Sequence, residues 1–299
     1  MDRYNIAVIV TCYNRKDKTL LSLSKLFHAA DVCSLAEIQL SIFLTDDGCT
    51  DGTADALKAM FAGKSLKIIQ SDGTAYWAGG MRIAWLEALK ESSKWDFYLL
   101  FNDDTMVLED AFDEILRTHQ FSLENYGKAG VYSGLISSLN NLNIITYGGK
   151  VYRRGFLGKS VNVIPNGRPV GCQMTNANFL LVSSEVVNKI GILDDAFKHA
   201  CADWDYGIRA SENGFPVLVS GNVCGQCDYD HDADKALYNK IKTMSISERK
   251  AYFNHPLHST SDILSFMKRH NKLKYVLVYF MRIINIYFPK LYYWLNKVR

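Results

Sequence analysis

The sequence predicts an α/β fold, a mostly parallel sheet flanked by helices, followed by a basic and aromatic helical appendage. Three observations lead to it. Short apolar runs rich in β-branched residues alternate with apolar residues at helical spacing. Acidic and polar clusters directly follow three of those runs. Residues 264–299 hold eight Lys/Arg and no Asp/Glu, which leaves 26 basic against 31 acidic residues, a net of −5, in 1–263.

Ile6 to Val10 is a continuous apolar run suited to a buried strand, and Leu20, Leu23, Phe27 and Ala30 then recur at helical spacing. Ile38 to Leu44 reads as a second strand ending on Thr45-Asp46-Asp47-Gly48, after which Thr53 opens a helix carrying Leu57, Met60 and Phe61. Leu66 to Ile69 is a third strand. Met81 to Leu89 is a helix in which Trp85 belongs to the core, and Phe97 to Phe101 is a fourth strand running into Asn102-Asp103-Asp104. Residues 130–180, rich in Gly and Asn, read as irregular strands and loops covering a crevice; 194–213 and 235–299 read as helical. The division expected is a sheet domain over 1–235 and a helical region over 236–299, with no internal repeat and no low-complexity linker.

With 48% hydrophobic and 22% charged residues the composition is that of a folded globular chain. The acidic body argues against a nucleic-acid partner. No apolar run approaches the ~18 residues that a membrane span needs; the longest in the tail, Tyr275 to Met281, stops at Arg282. Seven scattered cysteines, and no signal-peptide pattern ahead of Ile6, point to a cytoplasmic chain with reduced thiols. Cys224 and Cys227 have the spacing of half a zinc site or a redox pair but no second pair to complete it.

In open α/β sheets ligands bind at the carboxyl ends of the strands, where Thr11 to Arg15, Asp46-Asp47 and Asp103-Asp104 fall. Core packing has no use for carboxylates directly after a buried strand. Hard oxygen donors of this kind suit Mg²⁺ or Mn²⁺, which bridge carboxylates to phosphates, so a nucleoside diphosphate is the natural guest. The plain alternative is capping of the helix that begins near Glu109.

Val10-Thr-Cys-Tyr-Asn-Arg15, Asp46-Asp-Gly-Cys-Thr-Asp-Gly-Thr53, Trp77-Ala-Gly-Gly-Met-Arg82, Asn102-Asp-Asp104 and Asp203-Trp-Asp205 occur in one order over roughly residues 5–235. In that order and spacing the chain resembles the family 2 glycosyltransferases, which are inverting enzymes of the GT-A fold, of the bacterial surface-polysaccharide type. A nucleotidyltransferase on a similar sheet fits less well, because no Gly-rich phosphate loop follows Val10.

The resemblance implies a metal-dependent transfer of a sugar from a UDP- or dTDP-sugar to a hydroxyl of a glycan or lipid-linked acceptor. Thr11 and Tyr13 would contact the base, Tyr13 by stacking, and Asp46 would accept from its ring NH. Arg15, Gly80 and Asp103 complete the expected nucleotide-sugar contacts, with Arg82 approaching the diphosphate. Asp104 would ligate Mn²⁺ or Mg²⁺, and His231 is a further candidate ligand. Asp203 falls where the family carries its catalytic base. The chain departs from the pattern at Asn102 and at Ala202, each standing where the family has an acid. Competing assignments are a solvated helix charge for Arg82, a helix cap for Asp203 and a surface loop of acids around His231.

Asp205 and Arg209, at i and i+4, are expected to pair, which leaves Asp203 for chemistry. Trp77 and Trp204 are candidates for stacking on sugar faces, and Gly148, Gly149 and Arg153 to Gly155 for a lid or a turn. In the tail, eight basic residues interleave with Tyr, Phe and Trp, a mixture suited to the headgroup region of an anionic membrane at the inner face of the cytoplasmic membrane. The other class kept open is a non-catalytic GT-A-like protein that binds a nucleotide sugar and sits at a membrane as a scaffold.

Overall fold

The computed structural model describes residues 2–153, 159–228, 234–258 and 260–297. The first half alternates strands and helices: β1 (Asp2–Cys12), α1 (Lys16–Asp31), β2 (Ala36–Asp46), α2 (Thr53–Met60), β3 (Ser65–Gln70), α3 (Tyr76–Leu89) and β4 (Phe97–Phe101). A short β5 (Met106–Val107) and α4 (Ala111–Tyr126) follow. Then come β6 (Val131–Ser138), β7 (Asn141–Tyr147), β8 (Lys150–Arg153), β9 (Lys159–Asn162), β10 (Val170–Gly171) and β11 (Phe179–Ser183). The chain continues through α5 (Ser184–Ile190), α6 (Ala202–Glu212) and β12 (Val217–Gln226) into α7 (Asp234–Thr243), α8 (Ile246–Asn254), α9 (Thr260–His270), α10 (Lys272–Tyr287) and α11 (Pro289–Lys297).

The main sheet runs in the order β10-β12-β6-β11-β4-β1-β2-β3. β3, β2, β1 and β4 are parallel, and β11 enters antiparallel between β4 and β6. All residues of β4 are buried, and the sheet separates two apolar clusters, one on each face. This is the two-faced burial that unbroken apolar runs require of a parallel sheet.

The expectation that 130–180 forms only crevice cover is corrected at both ends, since β6 and β11 are central strands. Ser133 and Gly134 break the apolar run of β6 and hide the strand signal. Ser133 is buried and donates to the Asn176 carbonyl, and a Cβ on Gly134 would press on Phe179. The helix expected over 194–213 begins only at Ala202. Residues 194–201 stay a loop because their backbone groups are satisfied from outside: Asp262 accepts from the N–H groups of Lys198, His199 and Ala200, and Arg82 donates to the carbonyls of Asp194 and Phe197.

Asp262 lies on α9, as does Phe266, which is buried in the same cluster as Trp85 and Tyr206. Burying a Phe contributes roughly 1.5–3 kcal/mol. The boundary expected at 235/236 therefore does not separate α9 from the sheet. α7, α8 and α10 close a small cluster of their own around Ile241, Phe253 and Ile286, tied by Arg249 to the Met244 and Ile286 carbonyls.

Candidate active site

The parallel strands end on one side, and there Asn102, Asp103 and Asp104 leave β4 beside Arg15 from the β1–α1 turn. Arg15 Nη1 lies 2.7 Å from Asp104 Oδ2 and 3.5 Å from Asp103 Oδ1. Asp103 is buried and accepts from Thr19 Oγ1 at 3.0 Å. Burial and then the neighbouring Asp104 raise its carboxyl to about 6, against the opposing pull of Arg15. The Asn102 amide oxygen accepts from the Trp77 indole at 2.8 Å, so Asn102 serves to hold an aromatic side chain of the crevice.

These groups line a crevice of about 490 Å³ that Asp203 and Trp204 also line. Asp203 stands in the first turn of α6, behind Cys201 held at φ 64°. Its carboxylate accepts from the N–H groups of Trp204 at 2.9 Å and Ala177 at 3.3 Å, and burial raises it to about 6. Asp205 faces the other way, as two positions on one helix must. It is fully buried, and Arg209 Nε, Arg269 Nη1 and His270 Nε2 each reach it at 2.8 Å. Burial alone would push Asp205 up, but these partners hold it below the usual carboxylate range. The predicted i, i+4 pair is present, joined by two residues of α9 that no local spacing announces.

The structure brings Arg15, Asp103, Asp104 and Asp203 to one crevice, and Trp77 and Trp204 with them. Thr11, Tyr13 and Asp46 sit at the ends of β1 and β2, outside that lining. Tyr13 is 57% exposed and presents an open ring. Asp46 is buried and accepts from Cys49 N and Gln70 Nε2, which leaves lone pairs on a carboxylate able to take about four hydrogen bonds. Gly80 acts by close packing: a Cβ there would collide with the Thr11 side chain, and its carbonyl accepts from Thr45 Oγ1. Arg82 is not brought to the crevice. Its guanidinium is half-buried on the Asp194 and Phe197 carbonyls, where it braces the loop that leads into α6. His231, and Arg154 with Gly155 of the supposed lid, lie outside the described residues. Asp47 caps α3 through the N–H groups of Ala75 and Tyr76. Cys224 Sγ rests on Ser220 Oγ, while Cys227 Sγ contacts Asp104 Oδ1, so the pair serves two different places.

Sequence reasoning missed Lys150, at the start of β8. It lines the crevice with its ammonium 4.9 Å from the Trp204 ring and helps offset the Asp203 charge. A single Lys carries no pattern; the nearest signal is Gly149 beside it, where a Cβ would strike Cys172. The Asp103 and Asp104 carboxylates beside Arg15 have the chemistry to hold a divalent metal. Two carboxylates share one guanidinium there, and their oxygens are the hard donors that such an ion takes.

No protein-family model and no curated protein sequence matches the chain. Solved structures do. The 1–349 fragment of S. aureus TarS in complex with UDP-GlcNAc superposes with a TM-score of 0.54 at 14% identity, over 90% of this chain and 72% of that one. The mannosyltransferase PcManGT from Pyrobaculum calidifontis, in complex with GDP-Man and Mn²⁺, gives 0.53 at 12% identity over 96% of this chain and 82% of that one. The fold is the GT-A fold, with additional C-terminal helices.

Proposed function

We propose that the protein is a metal-dependent inverting glycosyltransferase that moves a sugar from a UDP- or dTDP-sugar to a hydroxyl of a glycan or lipid-linked acceptor. The observation that carries this reading is one crevice lined by Asp103 and Asp104 together with Asp203, an acid whose carboxyl is raised to about 6 by burial. The two GT-A neighbours are recorded with nucleotide sugars, one of them also with Mn²⁺, which supports the donor class.

In this reading Tyr13 stacks on the base and Asp46 accepts from its ring NH. Asp104 and Asp103 would hold Mn²⁺ or Mg²⁺, which would offset the charge of the diphosphate. Trp77 and Trp204 shape the space for the sugar. An acceptor hydroxyl is too weak an acid to ionise at pH 7, so Asp203 takes its proton as the oxygen attacks the anomeric carbon. The bond from that carbon to the diphosphate oxygen breaks with its electron pair on the departing nucleotide, and the configuration inverts.

The tail keeps the acceptor close. Leu273, Val276, Phe280, Phe288, Leu291 and Trp294 are exposed along α10 and α11 beside Lys272 and Lys290, which suits an anionic membrane surface bearing a lipid-linked acceptor. No helix among the described residues is long and apolar enough to cross a membrane. The test is a donor screen of UDP-, dTDP- and GDP-sugars with Mn²⁺, the product anomer being read by NMR. Transfer with inversion from a UDP- or dTDP-sugar is the expected result. Nucleotide-sugar binding without transfer to any lipid-linked or glycan acceptor would identify a non-catalytic binding protein instead.

A further inference from the structure

Cys12 ends β1, Asp46 ends β2 in register beside it, and Cys49 follows on the turn that Gly48 makes with φ 79°. One ligand atom from each, Sγ of Cys12, a carboxylate oxygen of Asp46 and Sγ of Cys49, lies within 4.8 Å of the other two. The two sulfurs are 3.8 Å apart. A Zn–S bond of about 2.3 Å in a tetrahedron places two sulfurs about 3.8 Å apart, so the thiols already stand at the separation that a shared ion requires. The surrounding bonds are those that orient ligands: Asn14 N–H points at Cys49 Sγ at 3.2 Å, while Cys49 N–H and Gln70 Nε2 hold the two oxygens of Asp46. Cys49 is only partly buried, so the cluster borders solvent, from which an ion and a fourth, water ligand would come.

We propose that Cys12, Asp46 and Cys49 form a site for a thiophilic divalent cation of the Zn²⁺ class, distinct from Asp103 and Asp104, and that its occupation blocks the nucleobase subsite. Two sulfur donors select against the Mg²⁺ and Mn²⁺ that the carboxylate pair at the end of β4 suits. Binding releases the two thiol protons to solvent. A cation on Asp46 also occupies the carboxylate that would accept from the ring NH of the base. This second consequence rests on the function proposed above; the metal site itself does not.

The experiment titrates the reduced, metal-free full chain with Co²⁺ alone, following thiolate-to-cobalt charge-transfer absorption, and then displaces the ion with Zn²⁺. One equivalent is expected, lost in Cys12→Ser and in Cys49→Ser and kept in Asp104→Ala. Cys49→Ser, at a partly buried position, guards against misfolding of the buried Cys12 variant, and thermal melts of both are run alongside. Absent charge-transfer absorption in the reduced wild type, or absorption that survives both substitutions or is lost instead in Cys224→Ser, overturns the site. In a second arm UDP is titrated in saturating Mn²⁺, with and without one equivalent of Zn²⁺. Affinity is expected to fall about 10- to 100-fold in the wild type and not in Cys49→Ser, as loss of one charge-assisted hydrogen bond implies. Unchanged UDP affinity with Zn²⁺ bound overturns the block. UDP that binds under neither condition, with the cobalt signal intact, removes the nucleotide reading and leaves the metal site standing.

Discussion

Two carboxylates two residues apart on α6 meet opposite fates. Asp203 turns to the crevice, accepts two backbone N–H bonds and is pushed up to about 6 by burial. Asp205 turns to α9, meets Arg209, Arg269 and His270, and is held below its ordinary range. Both are buried aspartates, so burial alone does not decide whether an acid does chemistry. The cations around it decide. An acid that no guanidinium neutralises keeps a proton affinity near neutral pH and can serve as a base, whereas one clamped by two Arg and a His can only hold helices together.

The largest effect expected is on Asp203. Asp203→Asn keeps the shape and removes the proton acceptor, so transfer should fall ~10² to 10⁴-fold with donor affinity preserved. The same variant sharpens the contrast through stability. A carboxyl raised in the folded state contributes its stability below the unfolded value near 3.8 and loses it as pH rises through about 6. At pH 7.5 the charged form is a liability of about 2–3 kcal/mol, and the amide should melt at or above the wild-type temperature. A near wild-type rate in Asp203→Asn would put the base elsewhere.

Asp205→Ala should do the reverse: destabilise by on the order of 3 kcal/mol, as removal of one partner from a buried ionic cluster does. Transfer at low temperature should be much less affected. Denaturant unfolding of both variants reads this directly. Equal destabilisation by the two substitutions would break the comparison.

How far the sequence discloses these roles depends on the range of the interaction. The alternation of β1 to β4 with α1 to α3 is written in apolar spacing, and Asp46, Asp103, Asp104 and Asp203 stand at strand or helix ends where motif order marks them. The Asp205–Arg209 pair is legible because it lies within one helix turn. Arg269, His270 and Asp262 come from 62 or more positions further on, and nothing local ties them to α6 or to the loop before it. Arg82 shows the same limit from the other side. Its place beside two glycines suggests a phosphate, but its partners are carbonyls more than a hundred residues away. Gly80 has, beside any ligand approach, a packing task that no spacing announces: its missing Cβ lets α3 lie against Thr11.

The pH profile tests the same contrast in the wild type. With saturating Mn²⁺ to hold Asp103 ionised, a base at Asp203 should make kcat/KM flat above about 6 and drop about tenfold for each unit below it. Asp205, held low, should add no limb in that range. Metal dependence follows: nucleotide affinity, measured calorimetrically with UDP and dTDP, should fall on EDTA treatment and in Asp104→Ala, since carboxylates facing a diphosphate repel it without a cation. Equal affinity in all conditions would remove the metal from those carboxylates.

The smallest effect expected lies in the tail, where the comparison between inward and outward charge repeats. Arg269 and Lys290 belong to the same basic stretch, yet Arg269 reaches Asp205 and Asp194 while Lys290 is exposed on α11 beside Leu291 and Trp294. If α10 and α11 lie on an anionic surface, Lys290→Gln should lower partitioning to vesicles containing an acidic phospholipid by about fivefold, the share of one basic residue near such a surface. It should leave melting unchanged. Arg269→Gln should lower the melting temperature and leave partitioning of the folded protein intact, because its guanidinium is already committed to two carboxylates. Co-sedimentation in low and moderate salt, against neutral vesicles as the reference, measures both. Pelleting that ignores lipid charge and both substitutions would detach the tail from the membrane and leave its exposed aromatic residues to another partner.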